Sequence, residues 1–302
     1  MLQLLTRAGA FVSVIILGVL LRRIGLFRQD DFRVLSNIVL KITLPAAIVV
    51  SFSSNQIDSS LLILSLLGFG GGLLYMVLGY LINLGRSKEE KAFAVLNLPG
   101  YNIGAFALPF TQSFLGPVGV VSTCLFDAGN AFICLGTSYS VASMIKDGKG
   151  FSVRSLLRSL SRSVPFMTYL IILPINLLRL NVPAPVLEFA GILSNANAFM
   201  AMLAIGVGFQ LSADRSQIQS IVKILAVRFT IAAGLACVYY FLLPFPLEVR
   251  QALVILAFSP IGAAVPPFTR QLGGDVGLSS AINSITILCS IFTIILLLSV
   301  ML

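Results

Sequence analysis

The chain has no histidine, and charged residues make up only 10% of its 302 positions. Without histidine there is no His-based zinc site, no histidine general base and no Ser–His dyad. The shortage of charge excludes more. A soluble domain carries about 25% charged residues, so this chain cannot cover a water-facing surface. Cysteine is scarce too. Cys124, Cys134, Cys237 and Cys289 fall in apolar segments without metal-ligand or disulfide-framework spacing, and packing is their expected role. The glycines Gly68, Gly70, Gly71 and Gly72 are not followed by Lys-Ser/Thr, so they form no phosphate loop and are expected to allow close helix contact. Paired aspartates are missing from the apolar stretches, which disfavours an intramembrane aspartyl protease. Asp30-Asp31 and Glu89-Glu90 sit among basic residues in connecting loops and read as solvated charge. The expectation is a protein that is not an enzyme, with no cofactor, no catalytic set and no metal site.

What the chain does have is apolar length: 58% hydrophobic residues and a mean hydropathy of +1.01. The apolar runs are continuous and reach about 20 residues, the length that crosses hydrocarbon as a helix, whereas the strands of a membrane barrel would alternate. The fold class is therefore an all-α polytopic membrane protein. Ten transmembrane helices are expected, at roughly 3–21, 32–53, 60–84, 91–113, 117–145, 155–179, 184–211, 219–243, 248–271 and 276–301. The first does not read as a cleaved signal, because its basic flank (Arg22, Arg23) follows the apolar stretch.

The net charge of +9 is explained by topology and needs no nucleic-acid partner. Basic residues cluster in alternate loops: Arg22, Arg23, Arg28 and Arg33; then Arg86, Lys88 and Lys91; then Lys146, Lys149, Arg154, Arg158 and Arg162; then Arg215, Lys223 and Arg228; then Arg270. The positive-inside rule puts these loops, including the central one, in the cytoplasm and both termini outside. A cell (inner) membrane is the expected location.

The chain also repeats itself. Ile103-Gly104-Ala105-Phe106-Ala107-Leu108-Pro109-Phe110-Thr111 returns as Ile261-Gly262-Ala263-Ala264-Val265-Pro266-Pro267-Phe268-Thr269, identical at six of nine positions with an offset of 158. Leu35-Ser36-Asn37 returns as Leu193-Ser194-Asn195 at the same offset. Five helices per half is an odd number, so residues 1–150 and 151–302 read as two inverted five-helix repeats, the construction of many secondary carriers.

The repeated segments fall in spans 4 and 9, at Asn97-Leu98-Pro99-Gly100-Tyr101-Asn102-Ile103-Gly104 and Ser259-Pro260-Ile261-Gly262. Proline and glycine at mid-span predict broken helices. Irregular backbone at that depth is tolerated where it is buried in protein or lines a cavity. The half-helix that follows each break would turn free N–H groups and a positive dipole end toward an anion. Asn97, Pro99, Gly100, Asn102, Gly104, Ser259, Pro260 and Gly262 are the candidate substrate-binding positions, with Asn102 the leading side-chain contact. Lys41 and Asp127 are charges inside spans, where charge is costly. Lys41 either faces a wet cavity or partner or snorkels to the interface. Asp127 could carry a coupling proton, pair with Lys41 or bind a cation. Asn130 joins Lys41 and Asp127 as a coupling or charge-pair candidate; Asn130, Asn195, Asn197, Asn283 and Ser284 also fit interhelical hydrogen bonding, with cavity lining as a further option.

At these residues the chain resembles the auxin efflux carrier family, which includes plant PIN-FORMED carriers and bacterial malonate-type permeases. The resemblance rests on the Asn-Pro-Gly break at 97–104, the Phe-Leu-Gly to Phe-Asp-Ala-Gly-Asn run at 114–130, and the Ser-Pro break followed by Leu-Gly-Gly-Asp at 259–275. It implies a fold shared with bile-acid sodium symporters, with a scaffold domain (spans 1, 2, 6, 7) and a transport domain (spans 3–5, 8–10). It also implies crossing broken helices, elevator-type alternating access, a small organic anion as substrate and a homodimer in the lipid bilayer. The competing expectations are a sodium-coupled organic-anion symporter and a membrane sensor that binds its ligand without moving it.

Overall fold

The computed structural model of the protein describes residues 2–148, 150–210 and 217–302, with backbone alone for residues 2–5. Lys149 and Arg215 of the basic clusters lie outside the described residues. Among those described there is no strand, and the α-helices number sixteen. In the first half these are α1 (Leu2–Arg23), α2 (Asp31–Ile38), α3 (Leu44–Ser53), α4 (Ile63–Leu81), α5 (Lys88–Asn97), α6 (Leu108–Phe114), α7 (Pro117–Phe132) and α8 (Ser138–Asp147). The second half contributes α9 (Val153–Arg162), α10 (Val164–Leu177), α11 (Ala184–Asn195), α12 (Asn197–Gly208), α13 (Ile218–Cys237), α14 (Leu247–Ala257), α15 (Val265–Gln271) and α16 (Val276–Met301). π-Helical turns carry α2 into α3 (Val39–Thr43) and α7 into α8 (Ile133–Thr137), and another, Ile103–Ala107, leads into α6.

Local chemistry sets several of these ends. Ser87 opens α5 with a capping box: its Oγ accepts from Glu90 N–H while the Glu90 carboxylate accepts from Ser87 N–H. Asp275 caps α16 by accepting from Leu278 N–H at 2.8 Å. Gly148 closes α8 in the left-handed region (φ 70°), where a Cβ would be strained.

Six helical stretches are long and apolar enough to cross a membrane: Asp31–Ser53, Ser59–Leu81, Pro117–Asp147, Ala184–Gly208, Ile218–Leu242 and Val276–Met301. A bent pair, α9 and α10, makes a seventh if taken as one span. The sequence led us to expect one continuous helix at 155–179. Instead α9 and α10 meet at 78°. Ser163 sits at the corner with extended backbone, its Oγ accepting from Phe166 N–H, and Pro165 occupies the first turn of α10. The corner separates a helix with Arg154, Arg158 and Arg162 at four-residue intervals from an apolar one, so the basic part is not drawn into the span.

The helices pack in two groups. In one, α1 lies on α12, α12 on α2, and α3 on α10 and α11. Gly18 and Gly206 face each other there: a Cβ on Gly206 would come within 2.2 Å of the Ile15 carbonyl oxygen. In the other group α4 lies on α5 and α7, α5 on α8, α14 on α7 and α13, and α15 on α16. Gly68 and Gly129 permit the α4–α7 contact, and Gly71 and Gly72 take the Tyr101 hydroxyl and the Ile133 side chain against bare backbone. Gly70, expected to do the same, points away and has nothing within 4 Å. α3, α10 and α12 meet the second group at α7 and at the 103–107 turn.

Candidate functional site

Both proline–glycine segments are breaks. The first separates α5 from the 103–107 turn and the second separates α14 from α15. They touch each other directly: Asn102 N–H donates to the Pro260 carbonyl at 2.8 Å. Gly100 has φ +79°, a conformation that suits glycine, and a Cβ there would sit 2.7 Å from Cys134 Sγ.

Side chains from three other helices satisfy the unwound backbone. Asn130 of α7 uses its amide as a substitute strand. Its Oδ1 accepts from Tyr101 N–H at 3.0 Å and its Nδ2 donates to Tyr101 O at 2.8 Å and to Asp127 Oδ1 at 3.0 Å. Asn283 of α16 does half of this for the second break, donating to Ile261 O at 3.0 Å and Gly262 O at 3.3 Å. Arg228 of α13 reaches both breaks. Its guanidinium donates to Leu98 O, to Gly100 O at 3.0 Å and to Ser259 O at 2.7 Å. Tyr75 and Tyr101 lay their rings 5.1 and 5.6 Å from it.

Arg228 corrects the sequence reading, which grouped it with Lys223 in a basic loop. It is 2% exposed and lies in the middle of α13. Ten residues into that helix at about 1.5 Å per residue is close to mid-bilayer depth, and that depth was the signal available in the sequence.

Asn102, Gly104, Gly262, Asp127 and Asn130 line one cavity of ≈200 Å³, closed on its far side by residues of α2, α10 and α12 such as Phe32, Phe166, Tyr169 and Ala204. Cys134, expected only to pack, lies in its wall between the two break glycines, and Asn283 and Ser284 line it too. The cavity offers donors. The N–H groups of Gly104 and Ala105 after the first break, and of Gly262, Ala263 and Ala264 after the second, have no acceptor among the described residues. The Asn102 side-chain amide likewise makes no hydrogen bond within the described chain, although the residue is only 9% exposed. Asp127 Oδ2 accepts from the Tyr169 hydroxyl at 3.0 Å, a bond from one helix group to the other. Leu44 presses on Gly104 at the same boundary, where a Cβ would meet its Cδ2 at 2.3 Å.

The remaining candidates lie elsewhere. Asn97 is fully buried in a network with Thr269 Oγ1 (3.3 Å) and Ser279 Oγ (2.6 Å), joining α5 to α15 and α16 behind the cavity. Pro99, Gly100, Ser259 and Pro260 form the crossing without lining the cavity, and the Ser259 hydroxyl is turned back to Ile255 O. Lys41 is exposed on the outer face of the 39–43 turn; it does not meet Asp127, whose partners are Asn130 and Tyr169. Asn197 bonds Thr43, and Asn195 is exposed. A larger cavity of ≈370 Å³ lies where α4, α5, α13 and the α15–α16 turn meet. Its two lysines are engaged, Lys146 by the Leu272 carbonyl at 2.6 Å and Lys223 by Asn83 Oδ1 at 2.7 Å.

No family model matches the chain. Over 206 residues it is 26% identical to a protein of Methanocaldococcus jannaschii described as an uncharacterized transporter. The match covers 64% of this chain and 65% of that protein's length. The apolar helices are those of an integral membrane protein.

Proposed function

We propose that the protein is a secondary carrier for a small organic carboxylate, working by elevator-type alternating access as in the auxin efflux carriers that its sequence resembles. On this reading α1, the α5–α6 pair and the α14–α15 pair are spans as well, giving ten in two inverted repeats. Both termini lie outside. One observation carries the proposal: two repeat-related breaks bond to each other beside a cavity lined by residues with unpaired N–H groups. Such a wall suits a carboxylate, whose oxygens accept without needing a cation at the site. A volume of ≈200 Å³ is below the roughly 300–1,000 Å³ of drug-sized sites, which favours a small substrate.

The two packing groups are the natural moving parts. α4–α8 and α13–α16 would travel as the transport domain, and α1–α3 and α10–α12 would stay as the scaffold. The Asp127–Tyr169 bond and the Leu44–Gly104 contact lie on the surface between them and would have to break and re-form in each cycle.

Asp127 supplies the coupling. With Arg228 and an ionised Asp127, the empty transport domain carries balanced charge at this depth. A bound monoanion adds one negative charge, and a proton on Asp127 restores neutrality, which makes crossing the membrane less costly. Asp127→Asn is therefore expected to transport without stimulation by an imposed pH gradient, whereas the wild type responds to it. An equal response in both would remove Asp127 from the coupling.

The decisive experiment is uptake of labelled malonate, lactate and indole-3-acetate into liposomes, with proton, sodium and voltage gradients imposed separately. Asn102→Ala should retain wild-type thermal stability, since its amide holds nothing within the described chain, and should cut uptake about tenfold or more, the worth of one hydrogen bond to a charged ligand. Unchanged uptake would reject Asn102 as a contact. Folded wild-type protein that moves no carboxylate under any gradient, yet binds one, would leave the sensor reading in its place.

A further inference from the structure

Where helices are broken at mid-membrane, the carbonyls at the end of each leading half have lost their acceptor role in the helix ladder. In carriers of this construction such carbonyls commonly hold a mobile cation. Here three of them, on Leu98 and Gly100 of the first break and Ser259 of the second, converge on the guanidinium of Arg228. Two aromatic faces flank it, as they would a bound organic cation. Among the described residues all its hydrogen bonds go to backbone carbonyls, with no carboxylate among them. The planar fork suits a site where several oxygens from two segments must be held at once. The carbonyls lie just after α5 and α14, and the arginine belongs to α13, all in one packing group, so the cation stays with the crossing if that group moves.

We propose that Arg228 is a tethered replacement for a coupling cation: it occupies the carbonyl cluster of the crossing permanently, so the carrier works independently of sodium, and its removal exposes a monovalent-cation site. The inference rests on the carrier reading above only in its statement about flux; the occupancy of the carbonyl cluster is tested separately by stability. A second monovalent cation would meet the guanidinium's charge in a low-dielectric setting and find the same three oxygens already committed.

The chain lacks tryptophan, so unfolding of the purified, lipid-reconstituted protein is followed by calorimetry in sodium, potassium or choline chloride at equal ionic strength. Wild type should melt at the same temperature in all three. Arg228→Ala should melt lower in choline and regain about 3 °C or more with millimolar methylguanidinium chloride, but not with added choline. Saturable stabilisation of wild type by sodium overturns the proposal, and this arm needs no variant. An Arg228→Ala protein that matches wild type in choline, or is lowered but indifferent to methylguanidinium and sodium, also overturns it, leaving a packing role only. If Arg228→Ala yields no folded protein, Arg228→Lys takes its place. It keeps a cation in the cluster and should remain indifferent to sodium; sodium stabilisation of this variant would count against the proposal. A wild type that passes these tests but moves no carboxylate would reject the carrier reading and leave the tethered cation standing.

Discussion

Gly129→Ala should yield almost no monodisperse protein, whereas Gly70→Ala, five residues beyond Ser65 on the partnering helix, should purify like wild type. At Gly129 an added Cβ would lie 1.8 Å from the Ser65 carbonyl oxygen and 2.6 Å from its carbon. Both obstacles are backbone, so no rotamer change relieves them. The opposing Gly68 is as tight, 2.1 Å from the Phe126 carbonyl oxygen, and Ser65 Oγ ties the same contact by donating to Leu125 O at 2.7 Å. Accommodating one methyl means separating α4 from α7. Overpacking a core costs about 1–3 kcal/mol when neighbours can adjust, and here they cannot. The separation would also pull at Phe126, Tyr101 and Tyr75, whose rings meet edge to face in sequence, and at Asn130 one residue further on. Gly70, with nothing within 4 Å and an exposed position, loses only the conformational penalty of a helical glycine. Size-exclusion yield of the two variants checks the pair. Wild-type recovery of Gly129→Ala would mean that α4 and α7 do not approach as described.

How far the sequence revealed this arrangement depended on the kind of signal. Pro99-Gly100 and Ser259-Pro260 announced the breaks because their effect is on their own backbone, and the structure interrupts the helices there. Asn102 was legible as a neutral polar residue beside a break. Its neighbour Asn97 was not separable from it by type, and only packing reveals that one is consumed by Thr269 and Ser279 while the other is free. Arg228 was missed because Lys223, five residues before it, made a basic cluster of what is a loop-facing lysine and a buried arginine. Tyr169 and Cys134 carry no sequence mark at all: an ordinary span residue becomes a cavity residue through the helix it faces. The α9–α10 corner could have been read from Ser163-Val164-Pro165, but the continuous hydropathy beyond it outweighed that cue.

Asn130 offers the sharper contrast with Asn102, and its loss should be felt in stability first. Asn130→Ala removes the acceptor of Tyr101 N–H, the donor to Tyr101 O and one donor to Asp127. Both Tyr101 groups lie in a break, buried away from water, with Tyr101 itself 2% exposed; Tyr101 O keeps the Ile103 N–H at 3.1 Å, so the group left without a partner is Tyr101 N–H. An orphaned buried N–H costs about 1–3 kcal/mol, so the variant should melt below wild type and carry substrate poorly because the break no longer holds its shape. Asn283→Ala should be milder. Asn283 only donates, to two carbonyls, and under-satisfied carbonyls are better tolerated than orphaned N–H groups. The expected order of melting temperature is therefore wild type and Asn102→Ala together, then Asn283→Ala, then Asn130→Ala, while uptake falls in all three variants. That dissociation between stability and flux separates a residue that touches substrate from one that holds the residue beside it. An Asn130→Ala protein as stable as wild type would mean that the first break keeps its form without the amide, and the bridging role argued for Asn130 would be lost.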